Sequence, residues 1–313
     1  MKGETAGDPC SAVKWTRKSL RRVSAAMSER GSSISHTSVR RQLKTAGFSL
    51  RANRKRLPTR ESPHRDEQFK KIEALKRRFL RRGLPVISVD AKKRELMGEF
   101  KNAGRTWRRE ARDVNMYDFP SDAGGVAIPY GVYDVGRDEG FVVVGTSRNT
   151  PAFAVSSVRC WWRERGRYVY PEATEILVLA DSGGSNGARA TEWKTELQRF
   201  ASDYRLTIRV AHYPTGASKW NPVEHRLFGP ISINWQGEPL VDYETILGFI
   251  RSTRTGSDVR CRARLDWRQW PTQKERTPQE RARIKADAAA VHLRRNQTLP
   301  HWNYAIQAAS ISS

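Results

Sequence analysis

Three acidic residues stand where chemistry would need them. "EILVLAD" (175–181) is an aliphatic run that ends on Asp181 and then breaks into "SGGSNG"; "LPVISVD" (84–90) is a second such run and ends on Asp90. An unpaired buried charge is costly, so an acid at a strand tip either closes the next turn or stands at a sheet edge to act. A third acid, Glu224, falls in the first turn of a helix that begins near Pro222 in "HYPTGASKWNPVEHRLF". Three carboxylates converging on one point repel unless a divalent cation sits among them, and hard oxygen ligands of this kind suit Mg2+ or Mn2+. Two such ions about 3.5–4 Å apart can activate a water or a 3′-hydroxyl and stabilise the leaving oxygen of a phosphodiester.

Each of these residues also has a plainer role open to it. Asp90 can close the turn ahead of Lys92 and Lys93. With Asn221 as N-cap and Pro222 at the first helical position, Glu224 sits where a capping-box glutamate would, and spacing alone favours the cap over the ligand. "SGGSNG" has neither the lysine of a Walker loop nor GxGxxG spacing, and reads as a flexible turn that lets backbone approach the acids. Lys219 and Trp220, just before Glu224, could hold a phosphate and stack on a splayed base; equally, Trp220 could pack on the sheet edge with Lys219 solvated.

The elements that must position these side chains follow from periodicity. A basic helix spans "DEQFKKIEALKRRFLRRG" and leads into the first strand, 84–90. "ELMGEFK" (95–101) is expected to pair back on that strand as a hairpin, and residues 102–138 form a long glycine-containing excursion. "GFVVVG" (140–145) is a strand, "PAFAVSSVRCWWRERG" a helix, 175–181 a strand, "ATEWKTELQRFASDY" a helix and "LTIRVAHY" (206–213) a strand, with the Glu224 helix after it. The order β-β-β-α-β-α-β-α predicts an α/β fold with a mixed sheet of the ribonuclease-H-like kind. There the first and fourth strands lie side by side at the centre, so Asp90 and Asp181 emerge at one edge.

Charge points to the substrate class. Lys and Arg number 57 against 33 Asp and Glu, a net +24, and such an excess favours a polyanion. Nucleic acid fits better than a membrane surface, because the basic residues interleave with tryptophan and polar residues. Residues 1–60 hold 15 Lys and Arg against three acids, half of the whole excess, which marks a basic N-terminal module. In it, "TRKSLRRVSAAMSERG" sets Leu20, Val23 and Met27 at helical spacing. Ser35 can cap a second helix, "SHTSVRRQLKTAG", with Val39 and Leu43 inward. The pair reads as a helix-turn-helix whose second helix would present His36, Thr37, Arg40, Arg41 and Lys44 to DNA; no third helix is visible. The expected division is a helix-turn-helix module over 1–50, a basic linker and helix over 51–82, a catalytic domain over 83–250 and a basic C-terminal region over 251–313. Cys10, Cys160 and Cys261 form no CxxC pair, so neither a disulfide framework nor a zinc site is indicated. The polar N-terminus shows no signal peptide and no apolar run approaches the roughly 20 residues of a membrane span, so a cytoplasmic protein acting at the nucleoid is expected.

Several long motifs, in order, resemble one family. "ISVDAKKRELMGEFKNAGRTWR", "DFPSDAGGVAIPYGVYD", "LADSGGSNGARATEWKTELQRFA" and "HYPTGASKWNPVEHRLF", with "SISHTSVRRQLKTAGFSLRANRK" and the closing "WNY", are similar to the Rhodopirellula-type DDE transposases of bacterial insertion sequences. The resemblance covers nearly the whole chain. It implies a ribonuclease-H-like catalytic domain whose D, D and E fall on Asp90, Asp181 and Glu224, and so raises Glu224 from cap to ligand. It also implies Mg2+ or Mn2+, two ions, and DNA as partner, both element ends and target, with a homo-oligomer working on it. Members carry a further DNA-binding region ahead of the equivalent of "GDPCSAVKW", which implies a module truncated at its N-terminus. The third strand ends "GTSRNT", where the family has another acid. A nuclease or resolvase on the same fold, and a DNA-binding remnant without catalysis, are the rival readings.

Overall fold

The computed structural model describes residues 5–7, 14–16, 19–49, 63–256, 258 and 260–309. Cys10 and residues 50–62, which include the start of the expected linker and helix over 51–82, lie outside them. The chain divides into two compact units, Met1–Arg56 and Leu57–Ser313.

In the first unit β1 (Thr5–Gly7) pairs antiparallel with β2 (Lys14–Thr16), a hairpin that the sequence did not announce. Helix α1 (Leu20–Ser28) follows, with the Ser19 side chain accepting from Arg22 N–H. In α2 (His36–Thr45) the Ser35 side chain accepts from Ser38 N–H, the expected cap. Gly31 and Gly47 take left-handed φ of 85° and 78° where the two helices stop, a conformation that glycine adopts without steric cost. Val39 is buried, and His36, Thr37, Arg40, Arg41 and Lys44 are exposed.

The second unit is built on one large sheet. Helix α3 (Arg65–Arg81) leads into β3 (Val86–Ala91), and then come β4 (Glu95–Met97), β5 (Gly125–Asp134) and β6 (Glu139–Gly145). Helix α4 (Pro151–Trp161) continues through a π-turn, Trp162–Gly166, into α5 (Arg167–Val169). The sequence β7 (Glu175–Ala180), α6 (Thr191–Tyr204), β8 (Thr207–His212) follows, and a π-helical segment, Val223–Phe228, runs into α7 (Gly229–Asn234). The chain closes with α8 (Tyr243–Ser252), β9 (Arg262–Asp266), α9 (Pro278–Ala289), β10 (Leu293–Arg295) and β11 (Asn303–Ile306). The strand order is β10-β11-β8-β7-β3-β5-β6-β9, with β4 on β5. β3, β5 and β6 run antiparallel in turn, whereas β3, β7 and β8 are parallel. An antiparallel meander extended by parallel strands on the far side of its first member is the ribonuclease-H-like arrangement, and the mixed α/β sheet is the one expected.

One strand differs from expectation. The antiparallel neighbour of β3 is β5, from within the supposed excursion, while 95–101 supplies only the short β4, which pairs with β5. Pro129 and Gly131 make "GVAIPYGVYD" a poor strand on paper, but each has a place. Pro129 takes the last rung of the β3–β5 ladder: its carbonyl accepts from Lys92 N–H at 2.8 Å, the return bond is missing, and the ladder stops. Gly131 lies opposite Asp90, where a Cβ would come within 2.7 Å of the Phe228 ring and 2.9 Å of Val223.

Both sheet faces are covered. Helices α4 and α6 bury one face through Phe153, Trp161, Trp193 and Phe200. On the other face α3 covers the β7–β8 half through Ile72 and Phe79, and 223–234 with α8 covers the β5–β6–β9 half. Residues after 250 thus add β9, β10 and β11 to the same sheet.

Candidate active site

Register decides where the acids go. β3 and β7 are parallel, with Val89 beside Ala180; one step further along each chain lie Asp90 and Asp181. Alternation along β3 puts Ser88 and Asp90 on one face. That face is the one on which Val223, Leu227 and Phe228 of the Glu224 segment pack. All three carboxylates are half-buried, within reach of solvent.

Electrostatics show how near they are. The Asp90 carboxyl is pushed up to about 8, by burial first and then by the charge of Asp181, against the Ala91 N–H bond, with Glu224 adding both charge and a hydrogen bond. Asp181 is raised to about 6 by burial, opposed by the Asn221 amide and reinforced by the Glu224 charge. Like charges gathered in a desolvated place produce these shifts. Among the described residues, no three His, Cys, Asp or Glu side chains form a ready-made metal cage.

Asp90 and Asp181 are held by asparagines that sequence reasoning assigned to a turn and a cap. Asn221 does not cap the Glu224 helix with its side chain, as the capping-box reading expected. Its Nδ2 donates to Asp181 Oδ1 at 3.1 Å and to Val89 O at 3.3 Å, and its Oδ1 accepts from Ser88 Oγ. Ser88 in turn accepts the Val223 N–H at 2.9 Å, one of the donors that a helix start leaves free. Glu224 N–H bonds Asn221 O at 3.0 Å, and Gly229 N–H returns to Glu224 O, five residues back. Such π-turns are frequent at functional sites.

The "SGGSNG" loop has more to do than bend. Gly184 takes φ of 67°, and Asn186, fully buried, donates to Asp90 Oδ1 at 3.3 Å while accepting from Tyr130 Oη at 2.7 Å. Behind Asp181, His212 Nδ1 donates to the Asp181 carbonyl at 2.9 Å. Its Nε2 accepts from Tyr304 Oη, which accepts from Trp193 Nε1, both at 3.0 Å. Only one imidazole tautomer satisfies all three bonds, and burial holds this ring neutral by pushing its pKa down to about 4. Asparagines beside glycine or proline were the available signal; their sequence contexts suggest turns and caps, not side chains aimed at acids.

Near Glu224, the Trp220 ring packs edge-on against Phe69 at 5.6 Å. Lys219 Nζ lies 4.0 Å and the Arg65 guanidinium 4.8 Å from its centroid, and the residue stays 40% exposed.

The family described as the Rhodopirellula transposase DDE domain matches residues 1–308. The chain belongs to that family. No curated protein matches it. Among solved structures, the pre-cleavage Mos1 transpososome is similar at 13% identity and a TM-score of 0.44, over 73% of this chain and 64% of that one. The Mos1 mariner paired-end complex with Mn aligns at 15% identity and 0.42, over 76% and 72%, and the Mos1 strand transfer complex at 14% and 0.43, over 76% and 71%. This chain thus spans less than two thirds of the first of these transposase chains. Among the described residues no helix is long and apolar enough to cross a membrane.

Proposed function

We propose that this DDE-family protein is a DNA transposase that cleaves strands at the ends of an insertion sequence and joins them to target DNA by in-line attack on phosphodiesters. The observation that supports this most is Asp90 and Asp181 abreast on parallel central strands, with the Glu224 charge acting on both. The donor set fits a hard divalent cation: all three groups are carboxylates, and two have pKa values raised by burial and then by neighbouring negative charge, which a cation would offset. Mg2+ or Mn2+ would be held by Asp90 and Asp181, with Glu224 completing the set. The bound ions would supply nucleophile activation and leaving-group stabilisation.

The chain's own residues do the positioning. Asn186 and the Ala91 N–H orient the Asp90 carboxylate, Asn221 orients that of Asp181, and Ser88 anchors the helix that brings Glu224. On this reading the exposed row His36, Thr37, Arg40, Arg41 and Lys44 contacts DNA, and Lys219 with the open part of Trp220 meets a strand near the acids. Homo-oligomer formation on DNA belongs to the same reading. The test is a single-turnover assay of the purified chain with Mn2+ or Mg2+ on DNA that carries the sequences flanking its reading frame, searched first for inverted repeats. Strand cleavage at the repeat ends is expected. Nicking without preference for the ends would make the protein a nuclease, and gel shifts without cleavage a DNA-binding remnant.

A further inference from the structure

At the β10 margin of the sheet, away from the acids' own side chains, lies an open concavity of about 520 Å3 between α3, β8 and the β10–β11 hairpin. Lys71 comes from α3, Arg209 from β8, and Arg294 and Arg295 from β10; among the described residues no carboxylate lines it. Arg209 is paired with Glu175 at 2.6 Å. No hydrogen bond or ion pair engages the side chains of Lys71, Arg294 or Arg295 among the described residues. Asn296 and Thr298 add polar groups to the rim.

A charged edge strand has a simple use, since like charges on an edge prevent pairing with another sheet. That accounts for Arg294 and Arg295 but not for Lys71 and Arg209, which reach the same hollow from other elements. Arg295 also repels two cationic groups that do not line the hollow. Lys194, whose Nζ sits 5.5 Å from the Tyr304 ring centroid, has its pKa lowered by burial and then by Arg295. His301 is lowered by burial and then by Arg189, His64 and Arg295. Self-repulsion of this sort is relieved by an anion. A row of cations around an open hollow suits several phosphates in sequence better than a single small anion.

We propose that this concavity is a DNA-backbone site, seating consecutive phosphates of a duplex through Lys71, Arg294 and Arg295. The proposal rests on the transposase reading for its ligand. The contact is independent of base sequence, because it is made to phosphates.

The test uses the full chain and a fluorescent duplex oligonucleotide of arbitrary sequence, with affinity measured by anisotropy over a range of NaCl concentrations. Each lost phosphate contact flattens the plot of log affinity against log salt by about 0.9, so the double variant Arg294→Ala/Arg295→Ala should flatten it by about 2. The Lys-for-Arg double variant should keep the wild-type slope. Both arginines are exposed, so the melting temperature should not move. If the double variant melts early, Lys71→Ala alone carries the test, with an expected change of about 0.9. An unchanged slope in a folded variant overturns the proposal, and new self-association at that unchanged slope would assign the arginines to edge protection. A wild type that does not bind duplex overturns it as well. Asp181→Asn measured alongside keeps the two readings apart: normal cleavage by that variant defeats the carboxylate reading, whereas the slope of the arginine variant judges the groove.

Discussion

Asn221 Nδ2 lies 3.1 Å from Asp181 Oδ1, while the backbone carbonyl of the same residue receives the N–H of Glu224. One buried asparagine therefore ties the acid at the end of β7 to the start of the helix that carries the third acid, and through Ser88 it ties both to β3. The three carboxylates come from segments far apart in sequence, and their mutual repulsion works against gathering them. This bridge opposes that repulsion with neutral hydrogen bonds and adds no charge to the site.

Replacing Asn221 with Ala leaves Ser88 Oγ without its acceptor in the core, removes the second donor to the Val89 carbonyl and frees the Asp181 carboxylate to turn. Each buried group left unsatisfied costs about 1–3 kcal/mol. The expected outcome is a lower urea midpoint together with reduced strand cleavage, while duplex affinity stays near wild type. Wild-type stability with wild-type cleavage would remove Asn221 from the positioning role.

Gly131→Ala tests the approach of the Glu224 helix to the sheet. The new methyl would lie 2.7 Å from the Phe228 ring and 2.9 Å from Val223, and overpacking of this order costs about 1–3 kcal/mol. Cleavage should fall because the helix must lift away from Asp90. Gly183→Ala is the control, since a Cβ there meets nothing within 4 Å; it should melt like wild type. Equal melting temperatures for the two variants would mean that the helix has room to spare.

How much of this was legible beforehand follows from where the determining physics lies. Asp90 and Asp181 were readable because an aliphatic run that ends on an acid is a local pattern. Strand β5 was not, because Pro129 and Gly131 look like breaks until β3 ends beside one and Phe228 lies over the other. The helix-start chemistry around Asn221 and Pro222 suggested a cap. It was the register of β3 against β7, a long-range property, that turned the Asn221 side chain toward Asp181. Asn186 escaped for the same reason: its partners, Asp90 and Tyr130, are 96 and 56 residues away in sequence.

Asp134 gives a pH-dependent prediction outside the acid cluster. Its carboxyl is raised to about 6, by burial first, against hydrogen bonds from Tyr170, Arg137 and Gly136, and its Oδ2 is buried without a hydrogen-bond partner among the described residues. A carboxyl whose folded pKa is raised destabilises the fold when ionised. The penalty is full above about 6 and fades as pH falls toward the ordinary value of 3.8. Asp134→Asn keeps an acceptor at the Oδ1 position and removes the charge. Its stability relative to wild type should therefore rise by about 3 kcal/mol between pH 4 and pH 7, against a pH-independent cost for the amide N–H that then lies at the buried Oδ2 position. Urea unfolding across that range checks it; a difference that does not change with pH would assign the effect to packing.

The carboxylate reading itself stands or falls on Asp181→Asn. The amide has nearly the same shape, and its oxygen can still accept from Asn221, so the bridge to the Glu224 helix survives. Stability should hold or rise, because burial and Glu224 disfavour the ionised Asp181 that the change removes. Duplex binding should keep its affinity and salt slope, since no cation is touched. If Asp181 holds a metal, the change deletes a negative charge and a hard oxygen ligand, and strand cleavage should drop by orders of magnitude, because activation of the nucleophile supplies much of the rate. If Asp181 only closes the turn into "SGGSNG", the amide serves as well and cleavage should hardly change. Single-turnover cleavage, a melting curve and a salt titration on the same preparation separate these outcomes. Near-normal cleavage by a folded, DNA-binding Asp181→Asn protein would refute the metal role.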